Sequence, residues 1–152
     1  MHGQHQSLNK VAFSATLHCL TGCATGEVLG LVIGTAIGLS NGNTIALAVV
    51  LAFLFGYMFT MLPLLRHGMA LGAAVGLAFA SDTASIAIME LADNAVMLLI
   101  PGAMNAGLAS PLFWGSLVLA LVIAAMFAFP VNRWLIARGK GHAVVHAHHG
   151  HH

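Results

Sequence analysis

The sequence predicts an all-α polytopic membrane protein of four transmembrane helices, with both termini in the cytoplasm. Three observations lead there. Apolar residues make up 59% of the 152 positions and charged residues only 6%, far below the roughly 25% charged content of a soluble domain. Four apolar runs, about Val11 to Leu39, Thr44 to Leu65, Met69 to Ile100 and Leu112 to Ile136, each exceed the ~20 residues a helix needs to cross hydrocarbon. The fixed cations Lys10, Arg66, Arg133, Arg138 and Lys140 stand near the termini or between the second and third runs. Those places share one side of a four-span chain, and the positive-inside rule assigns that side to the cytoplasm.

The elements follow in order. Residues 1–10 form a polar segment containing His2, His5 and Lys10; no small-residue cleavage site follows it, so it is not expected to be a removed leader. The transmembrane domain covers 11–136, with turns at Ser40-Asn41-Gly42-Asn43, at Pro63 with Arg66, His67 and Gly68, and from Pro101-Gly102 to Ser110-Pro111. Trp114 and Trp134 bracket the fourth span at a separation of roughly 30 Å along a helix, as interfacial belts do. Residues 137–152 are a cytoplasmic tail carrying six of the ten histidines, His142 to His152. Histidine clusters bind divalent metals in solution whatever their purpose.

In the first span, Gly22, Gly26, Gly30, Gly34 and Gly38 recur every four residues, a seam on which helices approach closely, within the chain or in a homo-oligomer. Cys19, Cys23 and Glu27 climb one face at the same spacing, with His18 at its edge. Two cysteines inside an apolar run are expected to be thiols rather than a disulfide. Thiolate and imidazole suit soft or borderline cations such as copper or zinc, and the carboxylate one turn on suits a harder or transient contact. The plainer reading is that membrane cysteines pack as small apolar residues.

The third run is long: 35 residues separate Arg66 from Pro101, or over roughly 50 Å as a straight helix. It is either strongly tilted or broken near Ala80 to Ser85, where Ser81 or Asp82 would be an N-cap. Asp82, Met89, Asp93 and Met97 fall on one face, flanked by Ser85 and Glu90, with Asn94 further round. Glu27, Asp82, Glu90 and Asp93 are the only carboxylates, and all lie within the apolar runs. A carboxylate at membrane depth costs about 2.5–3.5 kcal/mol on the insertion scale and marks an ion path or proton relay by default. No Lys or Arg is placed to pair with them, so a proton, a histidine or a cation from outside the polypeptide must.

The runs TLHCLTGCATGEVLG, SDTASIAIMELADNAVMLLIPGAMNAG and FPVNRWLIARGKGH resemble a family of small bacterial inner-membrane proteins defined by a domain of unknown function. The resemblance covers nearly the whole chain. It implies a four-helix multi-pass fold in the inner (cell) membrane and, through similar chains joined to copper-oxidase-like domains, an association with copper.

The expected function is transport or intramembrane binding of a transition-metal ion, copper or zinc, with Asp93, Glu90, Cys23 and Cys19 at its core and His18, Glu27, Asp82 and Met89 contributing. A proton or alkali-cation pathway using only the carboxylates is the alternative, and a structural subunit docking through the glycine seam is a third. A haem held by His18 and His67 is remote. The scattered basic residues suggest no nucleic-acid partner. No nucleophile elbow, phosphate loop or HExxH motif occurs, so no enzymatic activity is expected.

Overall fold

The computed structural model describes residues 8–138. His2, His5, Lys140 and the histidines from His142 to His152 lie outside the described residues. Four helices make up the fold: α1 Leu8–Ala36, α2 Asn41–Arg66, α3 Leu71–Leu99 and α4 Pro111–Ala137. All four are long and apolar enough to cross a membrane.

The ends are set by local chemistry. Gly38 and Gly68, at φ 77° and 88°, supply the left-handed turn after α1 and α2 that a side chain would strain. In each, the next N–H reaches back to the helix, Leu39 to the Gly34 carbonyl at 2.9 Å and Met69 to the Leu64 carbonyl at 3.1 Å, which satisfies carbonyls the helix end leaves open. Ser40 caps α2 by accepting from the Asn43 N–H at 3.3 Å, and Ser110 caps α4 by accepting from Leu112 at 3.2 Å, ahead of Pro111 in the first turn. Two expectations are corrected here. Lys10 sits in the first turn of α1 rather than before it, and Pro63 lies inside the last turn of α2 rather than in the loop. A proline so near a helix end disturbs too few remaining hydrogen bonds to stop it.

Gly38 is not part of the packing seam. It lies beyond α1 with open space where a side chain would begin, because the helix has already ended. The other four glycines do form the seam, and it is internal. A Cβ on Gly22 would lie 3.1 Å from the Gly56 Cα, and on Gly34 would press into Thr44. On Gly26 it would overlap the Leu51 carbonyl, and on Gly30 the Ala48 backbone. The seam therefore joins α1 to α2, which leaves the expected homo-oligomer without that support. Two of the remaining helices carry small residues at the same spacing, Ala48, Ala52 and Gly56 on α2 and Ser116, Ala120, Ala124 and Ala128 on α4. Lipid supplies no hydrophobic drive for association, so close backbone packing does that work.

The bundle runs up and down. At one end Arg133 donates to the Asn9 side chain at 2.7 Å, which places both ends of the membrane domain together; at the other, Asn41 donates to Asn105 at 3.0 Å, joining the α1–α2 and α3–α4 loops. Around the ring α1 packs on α2 and α4, and α3 on the same two; α1 and α3 also touch across the middle, whereas α2 and α4 do not. Large apolar side chains such as Phe13, Leu54, Leu91, Val118 and Met126 point outward. Outside water, that exposure is what a lipid-facing surface requires. Trp114 and Trp134 are both partly exposed at opposite ends of α4. Trp114 donates to the Leu108 carbonyl at 2.7 Å, and the Arg138 guanidinium lies 4.6 Å from the Trp134 ring centre.

Not every glycine is needed for contact. Gly76, exposed on α3, has nothing within 4 Å of where a Cβ would sit. Gly76→Ala is expected to raise thermal stability by about 0.5–1 kcal/mol, read from unfolding in lipid nanodiscs, because only the flexibility of the unfolded chain changes.

Candidate functional site

The glycine seam positions the polar groups. With Gly22, Gly26 and Gly30 against α2, the residues that follow them, Cys23, Glu27 and Leu31, turn about 100° toward the middle of the bundle. All three are buried there, as is Cys19 one turn before Cys23. Opposite them α3 presents Ser81, Asp82, Ser85, Met89, Glu90, Asp93 and Met97, all buried. This face is the one its periodicity predicts. The helix is continuous through Asp82, so the broken alternative fails and Asp82 is no N-cap.

From the end bearing the termini, the interior reads as a ladder. Asn132 of α4 donates to the Thr16 hydroxyl at 3.0 Å, and Thr16 donates to its own helix at the Ala12 carbonyl at 2.8 Å. One turn further, the Cys19 and Cys23 sulfurs lie 3.7 Å apart with no disulfide between them, and the Ser85 hydroxyl donates to Cys19 at 3.4 Å. Ser81 donates to Asp82 Oδ1 at 2.8 Å. Met89 packs in the same buried cluster as the two thiols, while Met97 belongs to another.

At the next turn the Glu27 and Asp93 carboxyls, 1% and 0% exposed, adjoin one another. No donor among the described residues meets any of their four oxygens. Glu90 stands beside them: Asn94 donates to its Oε2 at 3.4 Å, and its buried Oε1 has no donor among the described residues. Two ionised carboxylates side by side in a low-dielectric interior repel strongly, so a proton or a metal ion between them is the physical requirement. The basic side chains are at the other level: Arg66, Arg133 and Arg138 are exposed.

Beyond Glu27 and Asp93 the interior changes character. Leu31, Met97, Phe113 and Leu117, with Ala103 and Met104 from the α3–α4 connection, close the bundle as one apolar cluster. The carboxylates therefore sit at the blind end of a polar ladder that starts from the end bearing the termini. Hydropathy along the chain places Glu90 and Asp93 in the outer half of α3 but does not reveal this plug, because it joins α1, α2, α3, α4 and a loop.

The predicted ligands come together as two pairs. The Cys19 and Cys23 sulfurs, one helical turn apart, lie within hydrogen-bonding distance of each other at 3.7 Å. Glu27 and Asp93 form the second pair. Among the described residues no three His, Cys, Asp or Glu side chains converge on one metal position. His18, half-buried at the edge of α1, completes neither pair. Periodicity in α3 and α1 does not point to Asn132 and Thr16; the available signal is an asparagine continuing the four-residue stripe of Ser116, Ala120, Ala124 and Ala128.

These features define a multi-pass membrane protein with a carboxylate-bearing interior. Residues 8–141 match the family model described as a domain of unknown function (DUF4396), and the chain belongs to that family. The expected association with copper finds no support in the match. No curated protein and no solved structure matches the chain.

Proposed function

We propose that this protein binds a cation within its helical bundle and passes it along the α1–α3 interface, the cargo being a transition-metal ion of the copper or zinc kind. The observation that supports this reading is the adjoining pair Glu27 and Asp93, whose oxygens meet no donor among the described residues and which calls for a proton or a cation between them. The thiols of Cys19 and Cys23, one turn away, favour a soft or borderline ion. Two stations of two ligands each suit transient occupancy: a cation must bind well enough to enter and weakly enough to leave, whereas a closed four-ligand cage would hold it.

Lys10, Arg66, Arg133 and Arg138 belong to the end of the bundle that bears the termini. By the positive-inside rule that end is cytoplasmic, so the polar ladder lies on the cytoplasmic side of the apolar plug. A bacterial inner membrane is the setting this orientation fits.

The test is metal binding by the full chain in lipid nanodiscs, comparing it with the double variant Cys19→Ser/Cys23→Ser. The tail histidines are present in both and cancel. About one equivalent of zinc or copper(I) per chain should be lost with the thiols; unchanged stoichiometry and unchanged uptake into proteoliposomes would remove them from the path. A proton pathway is the second reading, favoured by the same carboxyl pair, since one proton held between them also resolves the repulsion. Proton flux that survives the double variant but is lost in Asp93→Asn would select it.

A further inference from the structure

One turn from the thiols, toward the end bearing the termini, every helix turns a polar side chain inward. Cys19, Ile86 and Ala128 pack in one buried cluster, and the Gly56 backbone lies against Ile86 and the Cys23 sulfur. From that level a step of one turn, about 5 Å, leads to Thr16 on α1, Thr60 on α2, Asp82 on α3 and Asn132 on α4. Two contacts fix the register: Asn132 donates to Thr16 at 3.0 Å, and the Tyr57 and Thr83 hydroxyls, beside Thr60 and Asp82, lie 2.6 Å apart. All four side chains of the layer are buried, none more than 4% exposed.

Two of their oxygens have no partner among the described residues. Thr16 gives its only proton to the Ala12 carbonyl, so Asn132 must donate to Thr16 through its amide nitrogen, and Asn132 Oδ1 is the acceptor left over. Thr16, Thr21, Thr25 and Thr83 each donate to the carbonyl four residues earlier on their helices; the Thr60 hydroxyl does not, and its Oγ1 is the second such atom. Burying either unsatisfied is unfavourable.

The chemistry of the layer narrows the occupant. Thr60, Asp82 and Asn132 offer oxygen only, which suits hard cations, and one carboxyl matches one positive charge; the sulfurs one turn on suit softer ions. A water molecule satisfies Thr60 and Asn132 but brings no charge to a carboxyl at membrane depth.

We propose that Thr60, Asp82 and Asn132 form a binding site for a hard monovalent cation of the sodium kind, with Thr16 holding the Asn132 amide in place. The site is distinct from the thiol pair and from the Glu27–Asp93 pair, and needs neither to be a metal station.

Radioactive sodium and the full chain in lipid nanodiscs test it; the imidazoles of the tail are poor ligands for an alkali ion and do not interfere. Saturable binding of about one sodium ion per chain above empty nanodiscs is expected. Asp82→Asn should weaken it at least about tenfold, and Thr60→Val, which keeps the side chain's shape and removes its oxygen, at least about threefold. Binding no greater than to empty nanodiscs, binding undiminished in Thr60→Val, or binding lost in Asp93→Asn and kept in Asp82→Asn each overturns the proposal. Should Asp82→Asn fail to fold, Thr60→Val decides alone. The double variant Cys19→Ser/Cys23→Ser separates the two ideas. Sodium bound as before after its zinc or copper is lost supports the layer independently of the thiol station, whereas absent sodium binding beside the expected metal loss strikes the layer alone.

Discussion

Asp93→Asn is expected to abolish cation passage while making the protein more stable. The Asp93 and Glu27 carboxyls adjoin with no donor to either, so the native pair is held together only when a positive charge or a proton joins it. An amide in place of one carboxyl removes the repulsion and donates a hydrogen bond to Glu27, worth about 0.5–1.5 kcal/mol. Thermal unfolding in nanodiscs should shift upward accordingly. Cation affinity should fall by about 1.4 kcal/mol or more, tenfold in the dissociation constant, because half the carboxylate station is gone. Glu27→Gln should behave alike, and Glu27→Asp should retain function in part. A destabilised Asp93→Asn variant with normal transport would show that the pair serves packing and not passage.

The second large effect concerns the glycine seam. Gly26→Ala adds one methyl group, but it is directed at the Leu51 carbonyl and the Ala52 nitrogen, which are backbone atoms and cannot rotate aside. α1 and α2 must part along their length, at a cost of about 2–3 kcal/mol or more. Gly30→Ala meets the Ala48 backbone in the same way. The double variant should cost less than the sum of the two, since helices already forced apart at Gly26 leave room at Gly30. Parting α1 from α2 also swings Cys23 and Glu27 away from α3, so metal binding should fall with stability. The measurement is unfolding temperature for both single variants and the double, against Gly76→Ala as the permissive control. Equal stabilities throughout would mean that the two helices are not in close contact in the membrane.

The same residues explain what could be read along the chain. Periodicity gives the helices because an apolar run in a membrane has only one way to satisfy its backbone. It also gives the burial of Asp82, Met89, Asp93 and Met97, since a helix repeats every 3.6 residues whatever surrounds it. The seam was legible as a seam, yet its partner was not: four small residues in a row fit α2, another copy or another protein equally well. Gly38 misled because regular spacing continues past the point where Gly38 itself ends the helix.

The chain's chemistry by itself determined four spans, their shared basic end and four carboxylates at membrane depth; hydrophobicity and charge are properties of each residue and need no partner to be read. Only the tertiary structure decided that Glu27 meets Asp93, that Cys19 and Cys23 stay apart from them as a separate pair, and that Leu31, Met97 and Phe113 seal one end of the ladder. Those are relations between helices distant in sequence, fixed by how closely small residues allow their backbones to approach.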